Sequence, residues 1–303
     1  MDKLEAMAAF VEIVDRGSLT AAAEGLGKSL PTMVRKLAGL EESLGVRLLR
    51  RTTRRMSLTE EGRSYLERCR RILADVEEAE EMLTRGQAEP RGALRVTAPV
   101  LFGQMHVAPA VVGFLRTYAR VKVELLLLDR VVNLVEEGID VGIRIAQLAD
   151  ASMIAIPVGE VRRVVCASPG LLRRVGVPKH PEALAGRPCI QFHGLAPAAS
   201  WQLREGGRNL SVPIDGPLVC NQAASALEAC AEGLGFGQFL SYQVAPLVAV
   251  KKLRVVLPDF EPPPIPVSVV YPHARLMSPR IRVFVDWMKD HLCAAPLALA
   301  MRT

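Results

Sequence analysis

The sequence predicts an all-α N-terminal part, with a winged helix-turn-helix and a long linker helix, followed by an α/β part. Residues 1–58 contain short helical patterns separated by glycine turns, and residues 59–86 keep one uninterrupted helical pattern. Residues 92–303 alternate strand-like apolar runs with helical stretches, which is typical of α/β domains. Segment 87–91 carries a proline and no periodicity, so it is the predicted hinge.

The composition argues against a membrane-spanning or exported chain. No apolar run approaches the ~18 residues that are needed to cross a bilayer. The N-terminus has acids among its first residues and lacks the basic start and unbroken apolar stretch of a signal peptide. We therefore expect a chain that stays in the reducing cytoplasm and makes no membrane contact.

The six cysteines follow no metal-binding or disulfide pattern, because no two of them lie closer than ten residues apart. We expect no metal and no cofactor. The cysteines are either small buried residues or, for two of them, a redox switch, which would need an accessible, electropositive site. They are Cys69, Cys166, Cys189, Cys220, Cys230 and Cys293.

Two short helices joined by a tight turn are predicted near the N-terminus, after a first helix that Gly17 stops. Ser18 or Thr20 can cap the second helix. Ser29 can cap the third, with Pro31 in its first turn, where a backbone N–H has no helical partner. This arrangement is a helix-turn-helix.

The third predicted helix has an apolar side and a polar side. At 100° per residue the side expected to face the core consists of Leu30, Met33, Leu37, Leu40 and Leu44. The opposite side consists of Pro31, Thr32, Arg35 and Lys36. Arg35 can donate a bidentate pair to guanine, and Thr32 can contact a thymine methyl group. The alternative is an ordinary solvated face.

An arginine-rich segment at 47–59 interleaves five arginines with β-forming and hydroxyl residues, and no acid lies among them. It predicts a two-stranded wing whose guanidinium groups reach phosphates or the minor groove. Residues 28–55 contain eight basic and two acidic residues, a net charge of 8 − 2 = +6. Residues 1–90 as a whole contain 15 basic and 16 acidic residues, a net charge of 15 − 16 = −1. A local basic patch of this kind indicates a phosphate-backbone partner.

The long helix predicts a homodimer. Thr59 is its expected cap, and 27 residues from 59 to 85 span roughly 40 Å at ~1.5 Å per residue. A stripe that long on a tethered helix needs a partner, for which a second copy is the simplest choice. Packing back on its own chain is the alternative. The stripe consists of Leu66, Cys69, Leu73, Val76 and Leu83.

The α/β part predicts a largely parallel sheet, whose ligands bind at the carboxyl ends of the strands. The expected strands are 94–98, 121–128, 141–145, 153–158, 162–166, 188–192, 218–221 and 267–271. The expected helices are one following Pro99 through position 115, then 131–138, 223–232 and 279–291.

Two features of this part suggest an anion site. The turn from Thr97 to Val100 can present backbone N–H groups to an anion, or it is an ordinary capped turn. Arg144 ends an apolar strand, where an unpaired charge is costly, so it meets either an acid (Asp140 or Asp129) or an anionic ligand. Residues 91–303 hold 23 basic and 16 acidic groups (23 − 16 = +7), which favours an anion.

The N-terminal sixty residues resemble the LysR-type transcriptional regulators in an unbroken series of motifs. These are 18–23 (SLTAAA), 29–32 (SLPT), 35–37 (RKL), 40–49 (LEESLGVRLL), Arg51-Thr52, Arg54 and 58–62 (LTEEG). The sequence departs from many members at two positions, with Leu30 in place of glutamine and Val34 in place of serine. Both changes remove polar contacts, so the DNA sequence read by relatives does not transfer to this chain.

The resemblance implies a recognition helix from Leu30, a wing, a linker-helix dimer and an effector domain of two Rossmann-like lobes, similar to periplasmic binding proteins. Lobe I would comprise 92–163 and 267–303, and lobe II would comprise 164–266. The implied DNA-binding residues are Ser29, Leu30, Pro31, Thr32, Arg35, Lys36, Arg51, Arg54 and Arg55. The implied effector-binding residues are Thr97, Pro99, Val100, Phe102, Arg144, Phe192, Asn221 and Gln238.

The predicted function is therefore sequence-specific regulation of promoters under the control of a small, anionic metabolite such as a carboxylate. The expected partners are double-stranded DNA, the effector, a second copy in a dimer or a dimer of dimers, and RNA polymerase. An enzyme is disfavoured, because the chain has no GxSxG, HExxH, P-loop or post-strand GxGxxG motif. A redox-sensing regulator and a cytoplasmic small-molecule-binding protein are the alternatives.

Overall fold

The computed structural model describes residues 2–51, 56–84, 90–147, 153–192, 200–272 and 278–295. The chain divides into two compact units, Met1–Glu89 and Pro90–Thr303. None of the described helices combines the length and the apolar character needed to cross a lipid bilayer.

The N-terminal unit contains four helices and a two-stranded sheet. The helices are α1 (Lys3–Arg16), α2 (Leu19–Gly25), α3 (Leu30–Leu44) and α4 (Glu60–Thr84), and the strands are β1 (Leu49–Arg51) and β2 (Met56–Leu58). The predicted helix-turn-helix is confirmed. Ser18 caps α2 by accepting a hydrogen bond from Ala21 N, and Gly17 ends α1 at φ 70°, a backbone conformation that favours glycine.

Helices α1, α3 and the start of α4 share one hydrophobic core. Phe10, Ile13, Met33, Leu37 and Leu40 are fully buried within it, and for Met33, Leu37 and Leu40 this confirms the apolar side predicted for α3. The core placement of Leu30 is wrong, because this residue is 42% exposed. A helical side chain points toward the helix N-terminus, and Leu30 opens α3, so no preceding turn covers it.

Two of the residues predicted for dimerisation belong to this core. Leu66 and Cys69 are buried with α1 and α3, and Leu73 packs partly against the same cluster. For Leu66 and Cys69 the stripe on α4 therefore packs on its own chain, and their assignment to a dimer interface is wrong. Val76 is half-buried, and the side chain of Leu83 lies outside the described residues.

The C-terminal unit is α/β. Its strands are β3 (Gly92–Ala98), β4 (Val121–Leu127), β5 (Val141–Ile145), β6 (Met153–Val161), β7 (Arg163–Ala167), β8 (Gln191–Phe192), β9 (Ser200–Glu205), β10 (Arg208–Pro213), β11 (Val219–Cys220), β12 (Gly237–Leu240), β13 (Arg254–Val256) and β14 (Ile265–Pro272). Its α-helices are α5 (Val100–Phe102), α6 (Ala108–Thr117), α7 (Pro169–Val175), α8 (Ala223–Ala231), α9 (Ser241–Ala249) and α10 (Pro279–Ala294). A π-helical turn, Gly103–Val107, joins α5 to α6, and 3₁₀ turns occupy Pro181–Leu184 and Pro258–Phe260.

The main sheet has five strands in the order β4-β3-β5-β14-β6. Strand β3 runs parallel to β4 and β5, but β14 runs antiparallel to β5 and β6. The prediction of a largely parallel sheet is therefore correct for one half of it only. The late strand β14 enters between two earlier strands, and hydrophobic alternation within a strand does not reveal such long-range pairing.

The second part of this unit is built from small sheets. Strands β12, β7 and β13 form an antiparallel sheet, β8 pairs in parallel with β11, and β9 and β10 form a hairpin. This hairpin was not predicted from the sequence. Its signal was present, because Gly206-Gly207 separates two segments in which alternate residues, such as Trp201 and Leu203, are buried.

The helix predicted at 131–138 is wrong. Only a turn forms there, in which the Asn133 side chain accepts hydrogen bonds from Val135 N and Glu136 N. Gly138 then leaves the turn at φ 63°. A side-chain cap at one end and a left-handed glycine at the other leave too few residues for a regular helix.

Candidate nucleic-acid interface and effector site

The first turn of α3 presents a polar, exposed surface. Ser29 caps the helix, and its hydroxyl lies 2.8 Å from the Thr32 hydroxyl. Pro31 and Arg35 are exposed, and Arg35 makes no ion pair with any described residue. Exposed Leu30 adds an apolar contact surface beside them. The helix predicted to begin at Leu30 is thus present, and Arg35 is exposed on its polar side.

Two lysines flank this surface and share one acid. Glu5, in the first turn of α1, pairs with Lys36 of α3, and its other oxygen lies 4.0 Å from the Lys28 ammonium group. The two lysines hold the pKa of the Glu5 carboxyl below its usual range, chiefly through the hydrogen bond from Lys36. Lys36, predicted as a DNA contact, is therefore paired inside the unit.

The wing begins on a buried carboxylate that the sequence analysis counted only as a charge. Glu41 is 5% exposed and accepts hydrogen bonds from Leu48 N (2.9 Å), Leu49 N (3.2 Å) and the Arg47 guanidinium group (2.9 Å). The idea that no acid balances the arginines is therefore wrong for Arg47. A glutamate in the last turns of an apolar helix just before a strand is the signal that was available.

The base of the wing is fixed to the start of α4. The Thr59 hydroxyl donates to the Arg47 and Leu48 carbonyl oxygens (2.8 and 3.2 Å) and accepts from Gly62 N (2.8 Å). A methyl group at Gly62 would lie 2.0 Å from the Leu48 carbonyl oxygen, so only glycine fits this approach. The predicted Thr59 cap is confirmed.

Strands β1 and β2 pair in antiparallel register, with Arg50 opposite Ser57 and Arg51 opposite Met56. Arg50 is exposed at the edge of this ribbon. The side chain of Arg51 and the whole of Arg54 and Arg55 lie outside the described residues. Their assignment to DNA contacts stays a prediction.

The apolar stripe of α4 continues beyond the part that enters the core. Ile72 is 39% exposed, and Val76, one helical turn further on, is half-buried. Leu66 and Cys69 lie nearer the start of the helix and are buried in the core, although Val76 follows Cys69 by seven residues and so lies on the same side of the helix. Of the positions predicted for the stripe, Val76 thus lies outside the core, and Ile72 is an exposed apolar neighbour that was not predicted.

In the C-terminal unit, Thr97 and Arg144 stand on adjacent strands, because Thr97 of β3 pairs with Gly142 of β5. Thr97 is fully buried, and its hydroxyl has no hydrogen-bond partner among the described residues. The turn that follows Thr97 already binds a carboxylate of this chain, that of Asp129. Val100 N donates to the Asp129 carboxylate at 2.9 Å, while Pro99 opens the helix without a side-chain cap.

The Arg144 guanidinium group donates to the Val132 carbonyl oxygen at 3.3 Å. Burial lowers the pKa of Arg144 below its usual value, and nearby Glu137 opposes this shift. The two acids expected as its partners have other hydrogen bonds, since Asp129 accepts from Val100 N and Asp140 accepts from Arg95 N at 2.8 Å.

Phe102 does not line a cleft, and this part of the prediction is wrong. The side chain is fully buried in the main core, edge-on to the Tyr242 ring at 5.1 Å and tilted against the His106 ring at 4.9 Å. Phe102, which closely follows the end of a strand, was predicted to contact a ligand. In the structure its ring packs α5 against α9.

The other three predicted effector residues cluster elsewhere in the unit. Phe192 of β8 pairs with Cys220 of β11 and stacks on the Phe239 ring at 6.5 Å. Asn221 follows β11 and is exposed, and Gln238 of β12 donates weakly to the Gln202 carbonyl oxygen at 3.5 Å. The structure therefore places the candidates in two groups, one on β3 and β5 and one on β8, β11 and β12.

The cysteines offer one close pair. Cys166 and Cys230 are fully buried with their sulfur atoms 3.9 Å apart, and burial together with this contact raises the pKa of the Cys166 thiol well above its usual value. Burial also raises the pKa of Cys69 to about 11 and that of Cys189 to about 12. A raised pKa keeps a thiol protonated and so makes it a poor nucleophile, which favours the interpretation of these cysteines as packing residues. No cluster of metal-ligating residues occurs in the described part of the chain.

Both units match known families. Residues 4–63 match the "Bacterial regulatory helix-turn-helix protein, lysR family", and residues 87–293 match the "LysR substrate binding domain". An HTH-type transcriptional repressor of Pseudomonas aeruginosa is 35% identical over 100% of this chain and 98% of its own length. The transcriptional regulator DmlR of Escherichia coli is 32% identical over 93% of this chain and 92% of its length.

Solved structures agree with these matches. CrgA, a LysR-type transcriptional regulator from Neisseria meningitidis, aligns with a TM-score of 0.61 and 31% identity over 95% of this chain and 98% of that one. The full-length Vibrio cholerae virulence activator AphB aligns with a TM-score of 0.61 and 26% identity over 95% of this chain and 99% of that one. The chain is a member of the LysR family of DNA-binding transcriptional regulators, with an N-terminal helix-turn-helix and a C-terminal effector-binding domain.

Proposed function

We propose that α3 of this regulator reads base pairs in the major groove of a promoter while the arginines of the wing contact the phosphate backbone. One observation carries this assignment: the exposure of Arg35 on the polar face of a capped helix. A planar donor pair of this kind matches the acceptors of guanine, and one bidentate pair contributes about 1–3 kcal/mol of discrimination. A DNA-binding chain acts where the chromosome lies, so we place it in the cytoplasm.

The test compares Arg35→Ala with Arg50→Ala on an operator selected from random sequences and on random duplex DNA. Arg35→Ala should lose about 1–3 kcal/mol of discrimination at one base pair, because a base contact disappears. Arg50→Ala, like Arg51→Ala, should weaken binding to both DNAs equally, because phosphate contacts carry no sequence information. Each substitution should also flatten the salt dependence of binding, because fewer phosphates are neutralised. Equal losses on both DNAs for Arg35→Ala would contradict the role of α3.

We further propose that the effector is a small organic anion, a carboxylate, which faces Arg144. Burial disfavours the charged guanidinium group, and its hydrogen bond to a carbonyl oxygen is long. An anion would compensate both costs. The unpartnered Thr97 hydroxyl on the neighbouring strand supports a polar ligand group there. The Val100 N–H does not support an anion, because Asp129 already occupies it.

We propose that the active species is a homodimer, or a dimer of dimers, formed through the exposed face of α4 that carries Ile72 and Val76. A dimer presents two recognition helices to two half-sites, which is how helix-turn-helix proteins gain affinity. RNA polymerase is a candidate partner at the promoter. Catalysis is not proposed, since the relatives are named as regulators.

A further inference from the structure

The DNA-facing surface of α3 contains an ion-pair arrangement that spans three elements. Glu5 lies in the first turn of α1, Lys28 lies between α2 and α3, and Lys36 lies in the middle of α3. One carboxylate is thus shared by two ammonium groups that the sequence places in the basic window. The exposed fractions of the Glu5 and Lys28 side chains are 52% and 47%, so this site is open to solvent.

The arrangement matters because Lys28 and Lys36 are also the groups to which a DNA phosphate would bind. Lys36 is next to Arg35 in sequence, and its side chain is only 18% exposed while it holds Glu5. A phosphate oxygen and a carboxylate oxygen offer an ammonium group the same kind of charge-assisted hydrogen bond. Binding of DNA to either lysine therefore exchanges one anionic partner for another, and Glu5 loses part of its neutralisation.

We propose that Glu5 is an intramolecular competitor of the DNA backbone, which occupies Lys28 and Lys36 and lowers the affinity of the regulator for all DNA. This inference rests on the proposed use of α3 against DNA and adds a residue that sets how strongly DNA is held. The competition acts on phosphate contacts, which carry no sequence information. Glu5 therefore reduces non-specific binding to the chromosome without changing which base pairs are read.

The experiment measures binding of the full-length protein to a random-sequence duplex of 40 base pairs, at about 50 to 200 mM salt. Glu5→Gln should bind more tightly than the wild type, and its salt dependence should steepen by about 0.9 for each copy of the chain on the DNA. The advantage should therefore grow about three- to fourfold per copy between the highest and the lowest salt concentration. Discrimination between an operator and random DNA should stay at the wild-type ratio.

Glu12→Gln is the matched control, because Glu12 lies on the same helix, pairs with Arg16 one turn away and changes the net charge equally. It should leave the affinity at the wild-type value. The gain of Glu5→Gln should also shrink in a Lys28→Gln, Lys36→Gln background, since no lysine is left to release. Weaker or unchanged binding by Glu5→Gln, or an equal gain in Glu12→Gln, would overturn the competition. Absence of salt-dependent DNA binding by the wild type would contradict the proposed function as well.

Discussion

At the scale of single residues, Glu41 shows how a charged side chain can be structural inside a DNA-binding surface. Three donors satisfy its carboxylate, two of them backbone N–H groups at the start of the wing. A buried carboxylate without such partners would be strongly destabilising. Its pairing with Arg47 also means that the positive charge of the wing is smaller than the number of arginines indicates.

His106 gives a prediction about stability and pH. The ring lies between Phe102 and Tyr242, its Nε2 atom has no hydrogen-bond partner among the described residues, and burial lowers its pKa below the usual value. The unfolded chain takes up this proton near pH 6.5, before the folded chain does. The free energy of unfolding should therefore fall as the pH drops from about 6.5 toward the lower folded pKa.

His106→Phe removes the titrating group and keeps an aromatic ring. Urea unfolding at about pH 7.5 and 5.5 should show a smaller loss of stability on acidification in this variant than in the wild type. An identical loss in both proteins would mean that His106 is not the group responsible.

Residues with a local role could be predicted from the sequence, whereas those whose role depends on distant partners could not. The caps Ser18, Ser29 and Thr59 act on N–H groups within three residues. Glu41 and Glu5 act on partners that only folding brings close. Leu30 lies on the apolar side of α3 in a helical-wheel projection. Such a projection does not show that the first residue of the helix lies beyond the edge of the core.

At the scale of elements, the apolar residues of helix α4 have two separate tasks. Leu66 and Cys69, near its start, hold the N-terminal unit together, and Ile72 and Val76, further along, remain available for a second copy. Val76 follows Cys69 by seven residues and lies on the same side of the helix, so the periodicity of the sequence joined both sets in one stripe. The extent of the core along α4, which periodicity does not show, is what separates them.

This division predicts opposite effects for two variants. Ile72→Glu combined with Val76→Glu should turn the dimer into folded monomers, because charges on the contact face resist desolvation. Leu66→Ala should instead lower the stability of the N-terminal unit by about 2–5 kcal/mol and leave the folded protein dimeric. Sedimentation velocity and thermal unfolding distinguish the two. A wild-type chain that sediments as a monomer at micromolar concentration would contradict the interface.

At the scale of the whole molecule, the order of domains and most strands could be predicted, because helical and strand periodicities are local signals. Strand order could not, since β14 is inserted between β5 and β6 from far along the chain. The residues predicted for the effector site do not all lie together. Thr97 and Arg144 do lie on neighbouring strands, but Phe102 belongs to the core and Val100 N is already bonded.

The proposed effector chemistry makes a prediction for the intact protein. A ligand at a hundredfold excess over its dissociation constant stabilises the folded state by about 2.7 kcal/mol, which corresponds to a Tm increase of roughly 5–10 °C for a domain of this size. In a thermal-shift screen, small organic carboxylates should therefore raise Tm more than their neutral amides. Arg144→Gln should abolish this advantage and leave DNA binding without ligand largely intact. Amides that stabilise as well as the acids would show that the site does not recognise charge.

The joint at Thr59 and Gly62 has a mechanical consequence. Because the first turn of α4 is hydrogen-bonded to the wing and admits no side chain between them, we expect the helix and the wing to move together. A helix with the 25 residues of α4 is roughly 37 Å long at ~1.5 Å per residue. A tilt of about 10° about the far end of the helix would therefore move the wing by roughly 6 Å. This distance is about twice the ~3.4 Å spacing of phosphates along one DNA strand. If the wing contacts DNA as proposed, a small rotation at the far end of α4 is thus enough to shift it along the phosphate backbone.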